Sequence, residues 1–154
     1  MLQVGDTVDD FALQDQDGNT VRWSSFRGKP TVVFFYPKAD TPGCTREACD
    51  FRDARSVLAE EGANVVGISA DPPKRQAAFA EKYQLPMRLL SDPDHSVLEP
   101  WGVWGDKKNY GKTYKGILRT TVLFDAKGRV AHVWSPVKVD GHVDKVVERI
   151  RQGV

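Results

Sequence analysis

Thr31-Val32-Val33-Phe34-Phe35-Tyr36 is an unbroken run of β-branched and aromatic residues, closed by Pro37. A run without polar alternation reads as a strand buried on both faces. Such a strand needs a sheet covered above and below, which confines the chain to layered α/β architectures. Asn64-Val65-Val66-Gly67-Ile68-Ser69 reads as a second buried strand. Between the two, a loop through Thr41-Pro42-Gly43 leads into a helix expected from about Cys44 to Glu60 and stopped by Gly62. Ala48, Phe51, Ala54, Val57 and Leu58 recur there at helical spacing. Strand, helix and strand in this order make a right-handed crossover and a parallel pair.

The remaining elements extend that unit. Phe11–Gln14 and Thr20–Trp23 flank Asp15–Asn19 as an N-terminal β-hairpin with turn chemistry at Asp17-Gly18. Asp71-Pro72-Pro73 opens a helix to about Tyr83 with Ala77, Ala78 and Phe79 inward, and Met87–Leu90 is a short strand. Asp92-Pro93-Asp94 starts a short helix toward Pro100, and Trp101–Gly116, rich in Gly, Lys and Tyr, reads as a long loop. Thr120–Phe124 and Arg129–Trp134 form an antiparallel hairpin, and a terminal helix from about Val143 to Arg151 presents Val143, Val146, Val147 and Ile150. The order predicts an α/β, thioredoxin-like fold in which a central mixed sheet carries helices on both faces. No repeat or linker interrupts it, so residues 1–154 are expected to form one domain.

A domain of 154 residues buries roughly 70% of its unfolded surface and needs no disulfide or metal to hold together. Lys and Arg number 22 against 21 Asp and Glu, with no block of like charge of the kind nucleic acid or a membrane surface attracts. Met1–Asp6 has neither the basic flank nor the apolar core of a signal peptide, and no run approaches a membrane span. The expectation is a cytoplasmic protein in which thiols stay reduced unless they are working. His95, His132 and His142 are scattered and not at zinc-ligand spacing to a cysteine, and are expected at the surface or behind the site. Trp23, Trp101, Trp104 and Trp134 are expected to anchor core or loops.

Both cysteines, Cys44 and Cys49, lie just after the first strand. A thiol in the first turns of a helix faces unpaired N–H groups and the positive end of the helix dipole, which favour the thiolate. Cys44 is therefore a candidate nucleophile, although a buried free cysteine elsewhere is usually a small hydrophobe. On one helix an i,i+5 pair is turned ~140° apart with Cα atoms ~9 Å distant. A disulfide rarely spans more than about 7 Å. The spacing thus predicts either two independent thiols or a cycle that couples chemistry to local unwinding. The absence of Cys-x-x-Cys removes the motif of a disulfide oxidoreductase acting on protein substrates.

These residues resemble a peroxiredoxin, and within that family the bacterioferritin comigratory protein, or Q-type, subgroup. The resemblance rests on Pro37-x-x-x-Thr41-x-x-Cys44, on Thr41-Pro42-Gly43-Cys44-Thr45-x-Glu47-x-Cys49, on Leu89-Leu90-Ser91-Asp92, on Tyr110-Gly111-Lys112, and on Arg119-Thr120-Thr121 ahead of Asp125. Val8-Asp9-Asp10 departs from the family's usual Ala-Pro-Asp, away from the site. The resemblance implies that Cys44 is the peroxidatic and Cys49 the resolving cysteine, with Thr41, Pro37 and Arg119 as further site residues. It implies an intrachain disulfide, no bound cofactor, a hydroperoxide substrate and a thioredoxin-type reductant; because such a disulfide needs no second subunit and nothing in the pattern marks an extra apolar face, a monomer is expected.

The chemistry can be argued from the residues as well. An ordinary thiol is only about 3% thiolate at pH 7, so lowering its pKa gains at most about 30-fold, less because nucleophilicity falls with it. The larger effect must come from donors aimed at the breaking O–O bond. The Cys44 N–H, the Thr41 hydroxyl and the Arg119 guanidinium are suitable groups, and Pro37 and Pro42 would rigidify and shield the loop. Each has a plainer reading: Thr41 as a helix N-cap, Arg119 as a surface arginine, Cys49 as packing, and Glu47 as a complement to the helix dipole rather than a partner that orients Arg119. A redox-sensing or chaperone-like protein switched by Cys44 oxidation is the alternative from another class.

Overall fold

The computed structural model describes all 154 residues. Its centre is a seven-stranded mixed sheet built on β3 (Thr31–Phe35), which pairs in parallel with β4 (Asn64–Ser69) and antiparallel with β8 (Thr120–Phe124). The full order is β2-β1-β5-β4-β3-β8-β9, with β1 (Ala12–Gln14), β2 (Thr20–Arg22), β5 (Arg88–Ser91) and β9 (Val130–Trp134). Every residue of β3 is buried, as its composition requires.

Successive side chains of β3 serve two separate cores. Val33 and Phe35 join Val66, Ile68, Leu90, Trp23, Trp101 and Phe124 on one face. Val32 and Phe34, continued by Tyr36, join Phe51, Leu58, Phe79, Leu89, Val146 and Ile150 on the other. That second face carries α1 (Pro42–Asp53), α2 (Arg55–Glu60), α3 (Pro73–Tyr83) and α4 (His142–Arg151). Two right-handed crossovers that advance in the same direction, β3 to β4 to β5, put α1, α2 and α3 on one side. The first face is covered by the 3₁₀ helix Trp23–Phe26 and the turns after Asp92. Gly67 makes the packing on the helical face possible, since a β-carbon there would stand 2.8 Å from Phe34 Cζ and 2.9 Å from Leu89 Cδ2.

Four elements differ from the sequence expectation. The helix expected at Cys44 begins at Pro42, whose missing N–H suits a first helical position, and it breaks at Ala54 before α2. In α3 the inward residues are Gln76 and Phe79 while Ala78 is exposed, because the Gln76 amide is used by buried polar partners. The short helix after Asp92 is a set of turns gathered by its carboxylate, which accepts from Ser96 N–H and Oγ and from the N–H groups of Val97 and Leu98. The expected loop from Trp101 to Gly116 instead holds an antiparallel ribbon, β6 (Trp104–Asn109) and β7 (Lys112–Ile117). Its turn has Tyr110 at φ 52° and Gly111 at φ 77°, the positive pair of a type I′ hairpin. The ribbon is mostly exposed, so it lacks the apolar alternation that reveals a strand.

Candidate active site

The site forms where α1 leaves β3. Tyr36 ends the strand's buried run, and the loop from half-buried Pro37 to Thr41 is tied down by Asp71, whose Oδ2 accepts the Ala39 N–H at 2.7 Å. Ser69 donates to the same Asp71 oxygen at 2.8 Å. Gln76 donates to Ser69 Oγ and to the Leu90 carbonyl, and accepts the Tyr36 hydroxyl. This buried network spans β4, α3 and the loop, so it fixes the entry angle of α1. The sequence offered little sign of it beyond Ser69 and Asp71 at the end of β4 and a polar Gln76 on α3.

Thr41 has the extended backbone of an N-cap, but its hydroxyl does not cap α1 and instead donates to the Lys38 carbonyl at 2.8 Å. The plainer reading of Thr41 as a capping side chain is thereby corrected. A hydroxyl that has given away its proton keeps its lone pairs for an incoming O–H. The first backbone bond of α1 runs from Thr45 N–H to Thr41 C=O. The N–H groups of Gly43 and Cys44 precede that ladder and point out of the helix start.

Cys44 is buried, 1% exposed, and Arg119 reaches it from the segment between β7 and β8. Arg119 Nη2 lies 3.2 Å from Cys44 Sγ, and Nη1 lies 2.9 Å from Oε1 of the fully buried Glu47. Gly43 leaves room for the guanidinium, since a β-carbon there would sit 3.2 Å from Nη2. Burial pushes the Glu47 carboxyl up to about 7, outweighing the attraction of Arg119. Burial opposes the charge on Arg119 too, yet its contacts with Cys44 and Glu47 raise its pKa above the ordinary value. Glu47 Oε2 and Thr45 Oγ1 are buried without a hydrogen-bond partner in the protein.

Cys49 lies on the same helix, half-buried, and both thiols are free. Burial raises its pKa. The six candidate residues thus divide: Cys44, Glu47 and Arg119 are in direct contact, Pro37 and Thr41 shape the loop ahead of them, and Cys49 stands on a different side of an intact helix.

His142, expected at the surface or behind the site, is 3% exposed, and its Nε2 is 2.8 Å from Thr121 Oγ1. Burial pulls its pKa down to about 4. No group of three or more His, Cys, Asp or Glu side chains is placed to hold a metal ion. No helix is long and apolar enough to cross a membrane.

Comparison with known proteins gives the family. Residues 4–133 match the AhpC/TSA family. The chain is 48% identical over 149 residues to a putative peroxiredoxin bcp of Coxiella burnetii, covering 97% of this chain and 99% of that protein. It is 46% identical over 151 residues to peroxiredoxin Bcp of Escherichia coli K12, covering 98% and 97%. Among solved structures, peroxidoxin BcpB from Mycobacterium tuberculosis superposes with a TM-score of 0.89 at 42% identity, covering 100% and 99%. The Xanthomonas campestris bacterioferritin comigratory protein, studied for its alkyl peroxide reduction activity, superposes with a TM-score of 0.88 at 33% identity, covering 92% and 90%. The chain belongs to the AhpC/TSA family, and within it to the bacterioferritin comigratory, or Q-type, peroxiredoxins.

Proposed function

We propose that residues 1–154 act as one peroxiredoxin domain, a thiol-dependent peroxidase that reduces hydrogen peroxide and organic hydroperoxides with Cys44 as nucleophile. The observation that carries this reading is the pair of contacts made by one guanidinium, 3.2 Å to Cys44 Sγ and 2.9 Å to Glu47 Oε1. A guanidinium fork in contact with the sulfur can follow negative charge as it moves onto the peroxide.

The Cys44 thiolate attacks the terminal peroxide oxygen, so that an S–O bond forms as the O–O bond breaks. Sulfur gives up two electrons, and the leaving alkoxide or hydroxide takes a proton to become alcohol or water. Thr41 Oγ1 accepts the peroxide O–H, while the N–H of Cys44 and Arg119 donate to the two oxygens as charge develops. Pro37 and Pro42, without N–H groups, limit water at the nascent sulfenate.

Cys49 then condenses with the sulfenic acid, releasing water and forming an intrachain disulfide. An intact α1 holds the two Cα atoms ~9 Å apart, beyond disulfide reach, so the first turns must unwind. The unpartnered Thr45 Oγ1 and Glu47 Oε2 lower the cost of that unwinding, because each is free to meet water once released. A thioredoxin-type dithiol re-reduces the disulfide. An intrachain cycle requires no second subunit, and we read the protein as a cytoplasmic monomer.

Mass spectrometry after one equivalent of hydrogen peroxide tests the assignment. Wild type is expected to form a Cys44–Cys49 disulfide, and Cys49→Ser to gain one oxygen on Cys44. A wild type left with two free thiols would overturn it.

A further inference from the structure

The loop that delivers Thr41 and Cys44 is held at two adjacent residues by different means. Ala39 is fully buried, and its N–H is fixed by the Asp71 carboxylate within the buried network. Asp40, the next residue, lies at the surface with φ 61°, in the left-handed region that a non-glycine residue keeps only when its surroundings hold it there. The C-terminal end of α3 does the holding: Tyr83 Oη donates to Asp40 Oδ1 at 2.6 Å and Lys82 Nζ to Oδ2 at 2.9 Å.

The two donors are not equivalent. The Lys82 side chain is 59% exposed, and an ion pair of that kind contributes little. Tyr83 is half-buried, its ring edge-on to the buried Phe79 at 5.6 Å, so packing aims its hydroxyl. Tyr83 also grips α1 beyond the second cysteine, because its carbonyl accepts Arg52 Nη1 at 2.7 Å. One residue thus holds the chain on both sides of the segment from Cys44 to Cys49.

Unwinding of the first turns of α1 needs a hinge between a fixed Ala39 and a moving Thr41. Asp40 occupies that position, and leaving the left-handed region relaxes its backbone once the bond to Tyr83 breaks. Resting on the peroxidase reading above, we propose that Tyr83 is a positioning residue whose hydroxyl latches Asp40. Closed, the latch sets Thr41 and the start of α1 for attack on the peroxide. Its release lets Cys44 travel to Cys49, while the Arg52 contact keeps the later part of α1 in place.

Rapid chemical quench with mass spectrometry, reading Cys44 sulfenic acid and the Cys44–Cys49 disulfide separately after hydrogen peroxide, tests this in wild type, Tyr83→Phe, Asp40→Gly, the double variant and Lys82→Met. Tyr83→Phe is expected to form the disulfide about fivefold faster and to oxidise Cys44 about threefold more slowly. Asp40→Gly removes both the acceptor and the strain and is expected to shift the two steps in the same directions. The double variant is expected to go no further than the larger single effect, which a separate structural role for each residue would not give. Lys82→Met is expected to keep wild-type rates. Rates unchanged or lowered together in Tyr83→Phe, effects that add in the double variant, or the same shift in Lys82→Met would each overturn the proposal. Wild type in which the peroxide oxidises neither thiol would overturn the peroxidase reading itself, and this inference with it.

Discussion

Gly43 and Arg119 are matched in space: the absence of a side chain on Gly43 is what lets Arg119 Nη2 come within 3.2 Å of Cys44 Sγ, because a β-carbon on Gly43 would itself lie 3.2 Å from Nη2. The glycine's φ is not positive, so its role is space and not backbone freedom. Gly43→Ala is expected to displace the guanidinium by a few tenths of an ångström and lower the rate of Cys44 oxidation by roughly tenfold, with a small change in stability. Stopped-flow oxidation with hydrogen peroxide, beside urea unfolding, separates the two.

Glu47 makes stability depend on pH with a defined sign. Its folded pKa is raised to about 7 from 4.5 by burial, so the folded state holds the proton more tightly than the unfolded. The stability this contributes is complete below the unfolded value and is lost as pH rises through 7. Glu47→Gln removes the titration. The variant's stability relative to wild type is expected to improve by on the order of 2 kcal/mol between pH 5 and pH 8, read from urea midpoints. A difference independent of pH would mean that Glu47 does not titrate in this range.

His142 acts in the opposite direction. Its pKa falls from 6.5 to about 4, so its contribution is complete above the unfolded value and is lost as pH drops toward 4. His142→Asn, which can still bond to Thr121 but cannot charge, should gain roughly 2–3 kcal/mol relative to wild type between pH 7 and pH 4. Unfolding curves at the two pH values check it.

Thr45 links stability to the catalytic cycle. Its buried, unpartnered hydroxyl makes the first turns of α1 less stable than they could be. Thr45→Val is expected to stabilise the reduced protein by about 1 kcal/mol and to slow disulfide formation several-fold, leaving the first oxidation of Cys44 close to wild type. Thiol-quench kinetics, following sulfenic acid and disulfide separately, distinguish the steps.

Most of the sheet was legible because its strands state their burial in composition. Thr31–Phe35 and Thr120–Phe124 are buried throughout, and Asn64–Ser69 is buried from Val66 onward. The ribbon at Trp104–Ile117 was not, because exposed strands held by backbone pairing leave no apolar pattern and Tyr110 hides a turn that usually advertises Asn or Gly. The site shows the same division. Cys44, Thr41 and Glu47 share one short segment whose spacing reads directly, whereas Arg119 comes from a segment 75 residues away from Cys44 and entered through resemblance alone. Gln76 went unread because a polar residue on a helix reads as exposed until its partners, Tyr36, Ser69 and Leu90, are assembled around it.

The central claim is that Cys44 attacks and Cys49 resolves after α1 unwinds. Hydrogen peroxide-dependent NADPH oxidation with thioredoxin and its reductase, in wild type, Cys44→Ser and Cys49→Ser, tests it most directly. The account predicts sustained turnover in wild type, none in Cys44→Ser, and loss of thioredoxin-supported turnover in Cys49→Ser. Full turnover in Cys49→Ser, or a wild type oxidised once without further cycles, would contradict it.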